Sequence, residues 1–188
     1  DRAVREGLRR AYLFTQNGRI PKSIQSLALE DEGSATALVI LDEGLRSLDS
    51  LSLEGLTLES KLQLAYEMTQ ALASVHQAAL VHRDIKPSNF LVGLDPIRAQ
   101  LSDFDAAGFV HQEISERVFG TPAYMSPEQT GKLQRNLDRR SDLYSLGVTF
   151  YELFSGRLPF EWRTTEELLA HHLSSPPDPL PNHLPISL

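Results

Sequence analysis

The sequence predicts an α+β fold whose C-terminal part is mainly helical. Three observations carry this expectation. The first is TALVIL, residues 36–41, a β-branched and aliphatic run of strand length. The second is a helical spacing of apolar residues from Leu58 to Ala79 and again from Ser141 or Asp142 to Gly156. The third is a pair of brief apolar runs, Phe90-Leu91-Val92 and Ala99-Gln100-Leu101, parted by the turn-like GLDP. At 188 residues and 41% hydrophobic content the chain can fill one sizeable core or most of a larger domain, with one domain as the default.

Taken in order, LALEDEG (27–33) reads as a solvated acidic loop ahead of the first strand. TALVIL ends at Asp42, Glu43 and Gly44, so it reads as a buried strand running into a loop. In the long helix Leu58, Leu62, Ala65, Tyr66, Leu72, Val75 and Ala79 share a face, Thr57 is a candidate cap, and Glu59 favours the first turn. The two short runs after it form a hairpin. Residues 104–128 have no sustained period and end in GTPAYMSPE, too long for an idle connection, so a functional loop is expected. The next helix presents Leu143, Leu146, Phe150, Leu153 and Phe154, and stops at Gly156 with Pro159 beyond. A short helix covers Thr164 to Leu173, and the prolines after it forbid regular structure. No internal repeat is present.

Composition excludes several classes. A net charge of −7 and a pI near 5.3 argue against a nucleic-acid partner, because phosphate backbones need clustered Lys and Arg. There is no cysteine, hence neither disulfide framework nor thiolate metal site, which suits a reducing, cytoplasmic setting. No apolar run reaches membrane-spanning length, so no membrane partner is expected. The chain starts at Asp1 and its tail SSPPDPLPNHLPISL holds five of the 11 prolines, which we read as a piece of something longer.

The chemistry concentrates at HRDIKPSN, residues 82–89. An Asp two residues before a Lys and five before an Asn, on a rigid Pro-containing loop after a helix, places a base, a cation and an amide oxygen around one point. Phosphoryl transfer asks for those groups: charge on the moving phosphoryl group, an acceptor held in line, and oxygen donors for magnesium. Asp84, Lys86 and Asn89 fit these tasks, and Asp103, in the SDFD that follows the hairpin, adds a hard oxygen donor.

HRDIKPSN, SDFD, GTPAYMSPEQ and SDLYSLG occur in the order in which eukaryotic-type protein kinases carry them, and together they resemble that family's catalytic lobe. The string from GTPAY to GRLPF looks closest to kinase domains of large bacterial multidomain signalling proteins. The resemblance implies a protein-kinase-like α+β fold, partial, over residues 1–175, with 1–41 the end of the N-terminal lobe, 42–175 the C-terminal lobe, and 176–188 a Pro-rich segment. It implies ATP and magnesium as cofactors, a protein substrate, and further domains of the same polypeptide as partners. By residue match Asp84 takes the acceptor hydroxyl's proton, Lys86 steadies the γ-phosphate, and Asn89 and Asp103 hold magnesium. The Lys at 86 resembles Ser/Thr kinases. Thr121 would bridge the catalytic loop to the substrate-docking segment, Asp142 would accept backbone hydrogen bonds from that loop, and Arg83 would meet a phosphorylated loop residue, with Ser115 the one candidate before Thr121.

The family pattern also fails in places. No glycine-rich loop and no strand Lys precede TALVIL, where Lys22 is a poor substitute. Aligning RRAYLFTQNGRIP with the regulatory helix puts Ala11 where the paired Glu should stand, and Glu6 is off register. Asp105 replaces the glycine of the DFG-type triplet, adding a carboxylate that either repels nucleotide or joins the magnesium donors. Three functions remain: an active Ser/Thr protein kinase, which is our expectation for the parent domain; a pseudokinase scaffold; and a small-molecule kinase of the aminoglycoside type, against which GTPAYMSPEQ argues. These 188 residues alone are expected to be weak or inactive in transfer and to expose an apolar seam near TALVIL. His76, His171 and His172 have no metal-ligand spacing and are assigned to packing or solvent.

Overall fold

In a computed structural model of the chain, residues 2–32, 35–110, 120–133, 136–181 and 184 are described. They fall into two compact units, one of Asp1–His82 with Pro87–Val110 and one of Arg83–Lys86 with His111–Leu188.

The first unit opens with helix α1, Arg2–Thr15, which buries Gly7, Ala11 and Thr15. These are four residues apart, a single face of the helix. The Thr15 hydroxyl donates back to the Ala11 carbonyl at 2.7 Å, which lets a polar residue close that face. Strand β1, Ser26–Glu32, pairs antiparallel with β2, Ala35–Ile40. The expected acidic loop is therefore a strand. Its carboxylates are compatible with pairing because most of them stay in water, and Asp31 finds partners in the Thr36 hydroxyl across the hairpin at 2.5 Å and Arg9 at 3.1 Å. The Thr36 hydrogen bond first, then Arg9, holds the Asp31 carboxyl below its ordinary range. TALVIL is a strand but not a buried one: Ile40 and Leu41 are 42% and 43% exposed and, with Leu27 of β1 at 52%, form an apolar seam of the kind expected there.

A two-residue strand β3, Arg46–Ser47, leads to helix α2, Leu58–Gln77. Thr57 caps α2 as its sequence suggests, its side chain accepting from the Ser60 N–H at 3.1 Å. The helix turns Leu64, Met68, Leu72 and Val75 inward and leaves Leu62 and Tyr66 exposed, so the buried stripe is rotated from the expected one. Strand β4, Leu80–Val81, precedes the hairpin of β5, Phe90–Leu94, and β6, Ile97–Leu101, and β4 pairs with β7, Gly108–Phe109. Phe90, Val92, Ala99 and Leu101 of the hairpin join the α2 residues as the core, each fully buried large side chain stabilising by about 1.5–3 kcal/mol. Strand β3 adds its two residues to the edge of β5.

The second unit is helical. Helix α3, Arg139–Ser155, starts earlier than its apolar pattern suggested, at the Asp138 cap whose carboxylate accepts the Arg140 N–H at 2.8 Å, and ends at Gly156 with φ 75°. Its inward face is Ser141, Asp142, Ser145, Leu146, Val148, Thr149 and Leu153, whereas Leu143 is 54% exposed. Hydroxyls can face inward here because Ser145 and Thr149 donate to the carbonyls four residues back, at 3.2 and 2.9 Å. Helix α4, Thr165–Ser174, is capped by Thr164. Among the described residues, no helix is long and apolar enough to cross a membrane.

Candidate active site

Within the second unit, the loop 83–86 is held by three side chains from far along the sequence. Asp142, 1% exposed on the first turn of α3, accepts the Arg83 backbone N–H at 2.8 Å. Asp142 is therefore not the helix cap, a task done by Asp138, and it serves the loop instead. Gln129 donates to the Arg83 carbonyl at 2.7 Å while its own oxygen accepts from the Ser126 N–H and hydroxyl, both at 3.1 Å. With the backbone N–H and C=O of this one residue claimed from two sides, Arg83 sits at φ 71°, a left-handed conformation that neighbours must stabilise. Gly120 leaves room for that carbonyl, which a Cβ at 120 would approach to 3.3 Å.

This anchoring presents Asp84 and Lys86. Lys86 Nζ lies 2.7 Å from Asp84 Oδ2 and donates to Thr121 Oγ1 at 2.8 Å. Thr121 in turn donates to Asp84 Oδ1 through its backbone N–H at 3.1 Å and its hydroxyl at 3.2 Å. Both residues of the pair are mostly shielded, with side chains 14% and 20% exposed for Asp84 and Lys86, so the ion pair is better kept than one in open water.

Asn89 and Asp103 belong to the first unit. The β5–β6 register sets Phe90 opposite Leu101, which brings Asn89 beside Ser102: the Ser102 N–H and hydroxyl both donate to the Asn89 carbonyl, at 2.9 and 3.0 Å. Asp103 follows at φ 60°. His82 Nε2 donates to the Ser102 carbonyl at 2.9 Å and its ring meets Phe104 edge-on at 4.9 Å, so the turn is fastened on both sides.

Asp105 is half-buried, and burial, then the negative charge of Asp103, pushes its carboxyl above the ordinary value, with Arg10 opposing. Two carboxylates feel each other here, just beyond the Ser102 that the Asn89 backbone carbonyl holds. That oxygen-only donor set suits a hard divalent cation and would be relieved by one, so the residues present fit magnesium. Among the described residues no group of three or more His, Cys, Asp or Glu gathers as a metal cluster.

The structure thus gathers Asp84, Lys86, Thr121 and Asp142 in one unit, and Asn89 with the Asp103 turn in the other. Ser115 lies outside the described residues. Lys22 is engaged elsewhere, 2.5 Å from Glu67 on α2, and Glu6 pairs with Arg2 at 2.9 Å on the exposed side of α1. The α1 position turned on Asp105 is Gly7, one helical turn before Ala11: a Cβ there would lie 3.0 Å from Asp105 Cγ and Oδ2. Sequence reasoning missed Gln129, whose signal was the S-x-x-Q capping pattern of Ser126–Gln129, and it missed Gly7, which left no local signal.

Comparison with known proteins agrees with this geometry. A family described as "Protein kinase domain" matches residues 37–178. Serine/threonine-protein kinase pkn2 of Myxococcus xanthus is 37% identical over 132 residues, covering 66% of this chain and 16% of that protein. Serine/threonine-protein kinase Pkn1 of the same organism is 41% identical over 122 residues, covering 60% of the chain and 17% of the relative. Serine/threonine-protein kinase PknA of Mycobacterium tuberculosis (strain ATCC 25618 / H37Rv) is 37% identical over 133 residues, covering 69% and 30%. The chain spans under a third of the length of each of these relatives. With the match covering most of its length and the loop, the turn and their anchors built as described, the chain belongs to the protein kinase domain family.

Proposed function

We propose that the polypeptide carrying this chain is a serine/threonine protein kinase that moves the γ-phosphoryl group of ATP to a Ser or Thr hydroxyl of a protein substrate. The observation that carries this is the Asp84–Lys86–Thr121 arrangement, supported by relatives named as serine/threonine-protein kinases. Asp84 orients the acceptor hydroxyl and takes its proton as the new P–O bond forms, while the bond to the bridging oxygen breaks and ADP leaves with that electron pair. Thr121 fixes the carboxylate plane by donating twice to Oδ1. Lys86, fixed between Asp84 and Thr121, supplies positive charge to the transferring group. Asn89 and Asp103 would hold magnesium, which supplies charge neutralisation at phosphate oxygens when bound.

Further domains of the same polypeptide and a cytoplasmic location belong to the same proposal, as do the boundaries 1–41, 42–175 and 176–188. A thermal-shift titration of the full-length polypeptide with ATP, with and without magnesium, followed by transfer to a generic protein substrate, tests it. Asp84→Asn should keep the nucleotide shift and lose transfer by at least about a hundredfold, and Asp103→Asn should lose the magnesium dependence of the shift. A shift without any transfer in the wild type would make the domain a pseudokinase.

A further inference from the structure

Helix α1 meets the stretch that follows Asp103 at two points. A Cβ added at Gly7 would stand 3.0 Å from the Asp105 Cγ and Oδ2, so that carboxylate rests on bare helix backbone. Two turns further on, the Phe14 ring meets Phe109 edge-on at 5.6 Å. Positions 7, 10, 11 and 14 form one stripe of a helix, which puts Arg10 and Ala11 between the two contacts. Ala11, where the family pattern expects a carboxylate, is 2% exposed. Arg10 Nε is buried and makes no hydrogen bond.

Asp105 reaches this stripe from a rigid turn. Phe104 before it is fully buried with its ring against His82, and the Ala107 N–H closes the turn onto the Phe104 carbonyl at 3.1 Å. The left-handed residue here is Asp103, and Asp105 is not among the left-handed residues described, so position 105 does not need glycine and can carry a side chain. Its carboxylate is half-buried, and of the charges that act on it Asp103 repels and Arg10 attracts. A carboxylate pressed onto a helix with no cation near it is driven back toward water or toward any metal within reach. Arg10 is the group on α1 that opposes this. The sequence left Asp105 two roles, repelling nucleotide or joining the magnesium donors, and its place on α1 supports a third.

We propose that Arg10 and Asp105 are positioning residues: together they clasp α1 to the 104–107 turn and keep the Asp105 carboxylate on the helix, leaving Asn89 and Asp103 as the donors of the cation site. The negative charge missing from the helix at Ala11 is thus brought to the same interface by the turn. The cation site rests on the kinase reading above, whereas the clasp itself does not.

Two measurements on the full-length polypeptide test this. In amide hydrogen exchange over residues 5–12, Arg10→Gln and Asp105→Asn should each exchange roughly three- to fivefold faster than wild type, the effect of one partly shielded ion pair, and the double variant no faster than either alone. Arg10→Lys should stay within about twofold of wild type. The second measurement is the binding of manganese alone, followed by the electron paramagnetic resonance of the free ion. Asp103→Asn should weaken it by about tenfold or more, and Asp105→Asn should stay within about threefold of wild type. Arg10→Gln frees the 105 carboxylate to turn to the ion and should tighten binding by about fivefold, a gain that adding Asp105→Asn cancels. Unchanged exchange in Arg10→Gln, or single effects that multiply in the double variant, overturns the clasp. Manganese binding weakened as much by Asp105→Asn as by Asp103→Asn makes Asp105 a donor and overturns the positioning role, as does the absence of any gain in Arg10→Gln. If wild type binds no manganese, the cation site of the kinase reading and the positioning role fall together, while exchange still decides the clasp. Manganese binding without any phosphoryl transfer removes the kinase reading and leaves both arms to decide the two positioning residues.

Discussion

Replacing Gly7 by Ala sets two effects of known sign against each other. In the middle of α1 the change removes glycine's backbone entropy cost, a gain of about 1 kcal/mol. The new methyl would stand 3.0 Å from Asp105 Cγ, 3.0 Å from Oδ2 and 3.2 Å from Cβ. Carbon atoms prefer roughly 3.5–4.0 Å, so the overlap is about half an ångström on three atoms at once. Inserting a methyl into so filled a site costs about 1–3 kcal/mol. Crowding therefore wins or breaks even, and Gly7→Ala should destabilise by about 0–2 kcal/mol.

In an Asp105→Gly background the obstacle is gone, and the same substitution should stabilise by about 1 kcal/mol. Urea unfolding of the four proteins closes a double-mutant cycle with an expected coupling of about 1–3 kcal/mol, read as shifts in midpoint at constant slope. If Ala at position 7 stabilises equally in both backgrounds, the close approach of α1 to Asp105 is wrong.

Two further outcomes follow from the second unit. Asp142→Ala strips the Arg83 N–H of its charged acceptor in a site 1% exposed, and should cost about 1–3 kcal/mol in chemical denaturation; a loss below about 0.5 kcal/mol would mean the loop does not depend on it. Burial first, and the charge of Glu128 second, push the Tyr144 phenol up to about 12, so alkaline titration of tyrosinate absorbance should show a late phase that Tyr144→Phe removes. A titration of the wild type finished by about pH 10.5 would contradict the buried hydroxyl.

Local chemistry made much of this legible. Thr57 and Gly156 announce helix ends because capping is decided within four residues, and the β5–β6 hairpin is bounded by its own turn. Strand β1 was hidden because its acids read as solvent-facing whether or not the backbone pairs, and its pairing depends on β2. The inward face of α3 was misread for a different reason: apolar periodicity counts Leu143 and Phe150 but is blind to hydroxyls that satisfy themselves on their own helix. At the candidate site, Asp84, Lys86, Asn89 and Asp103 stand out in the sequence because their types and spacing suit the proposed chemistry. His172, assigned to packing or solvent, is buried and bonded to Pro122 and Tyr144, and Gly7 and Arg10 gain meaning only from Asp105, distant in sequence.

Five non-glycine residues among those described adopt left-handed backbone, and two of them are Arg83, next to the proposed base, and Asp103, a proposed cation donor. Glycine would relax either position. A library of variants sorted purely for heat resistance would thus be drawn toward glycine at 83 and 103, improving the protein as an object while discarding the carboxylate proposed to hold a cation.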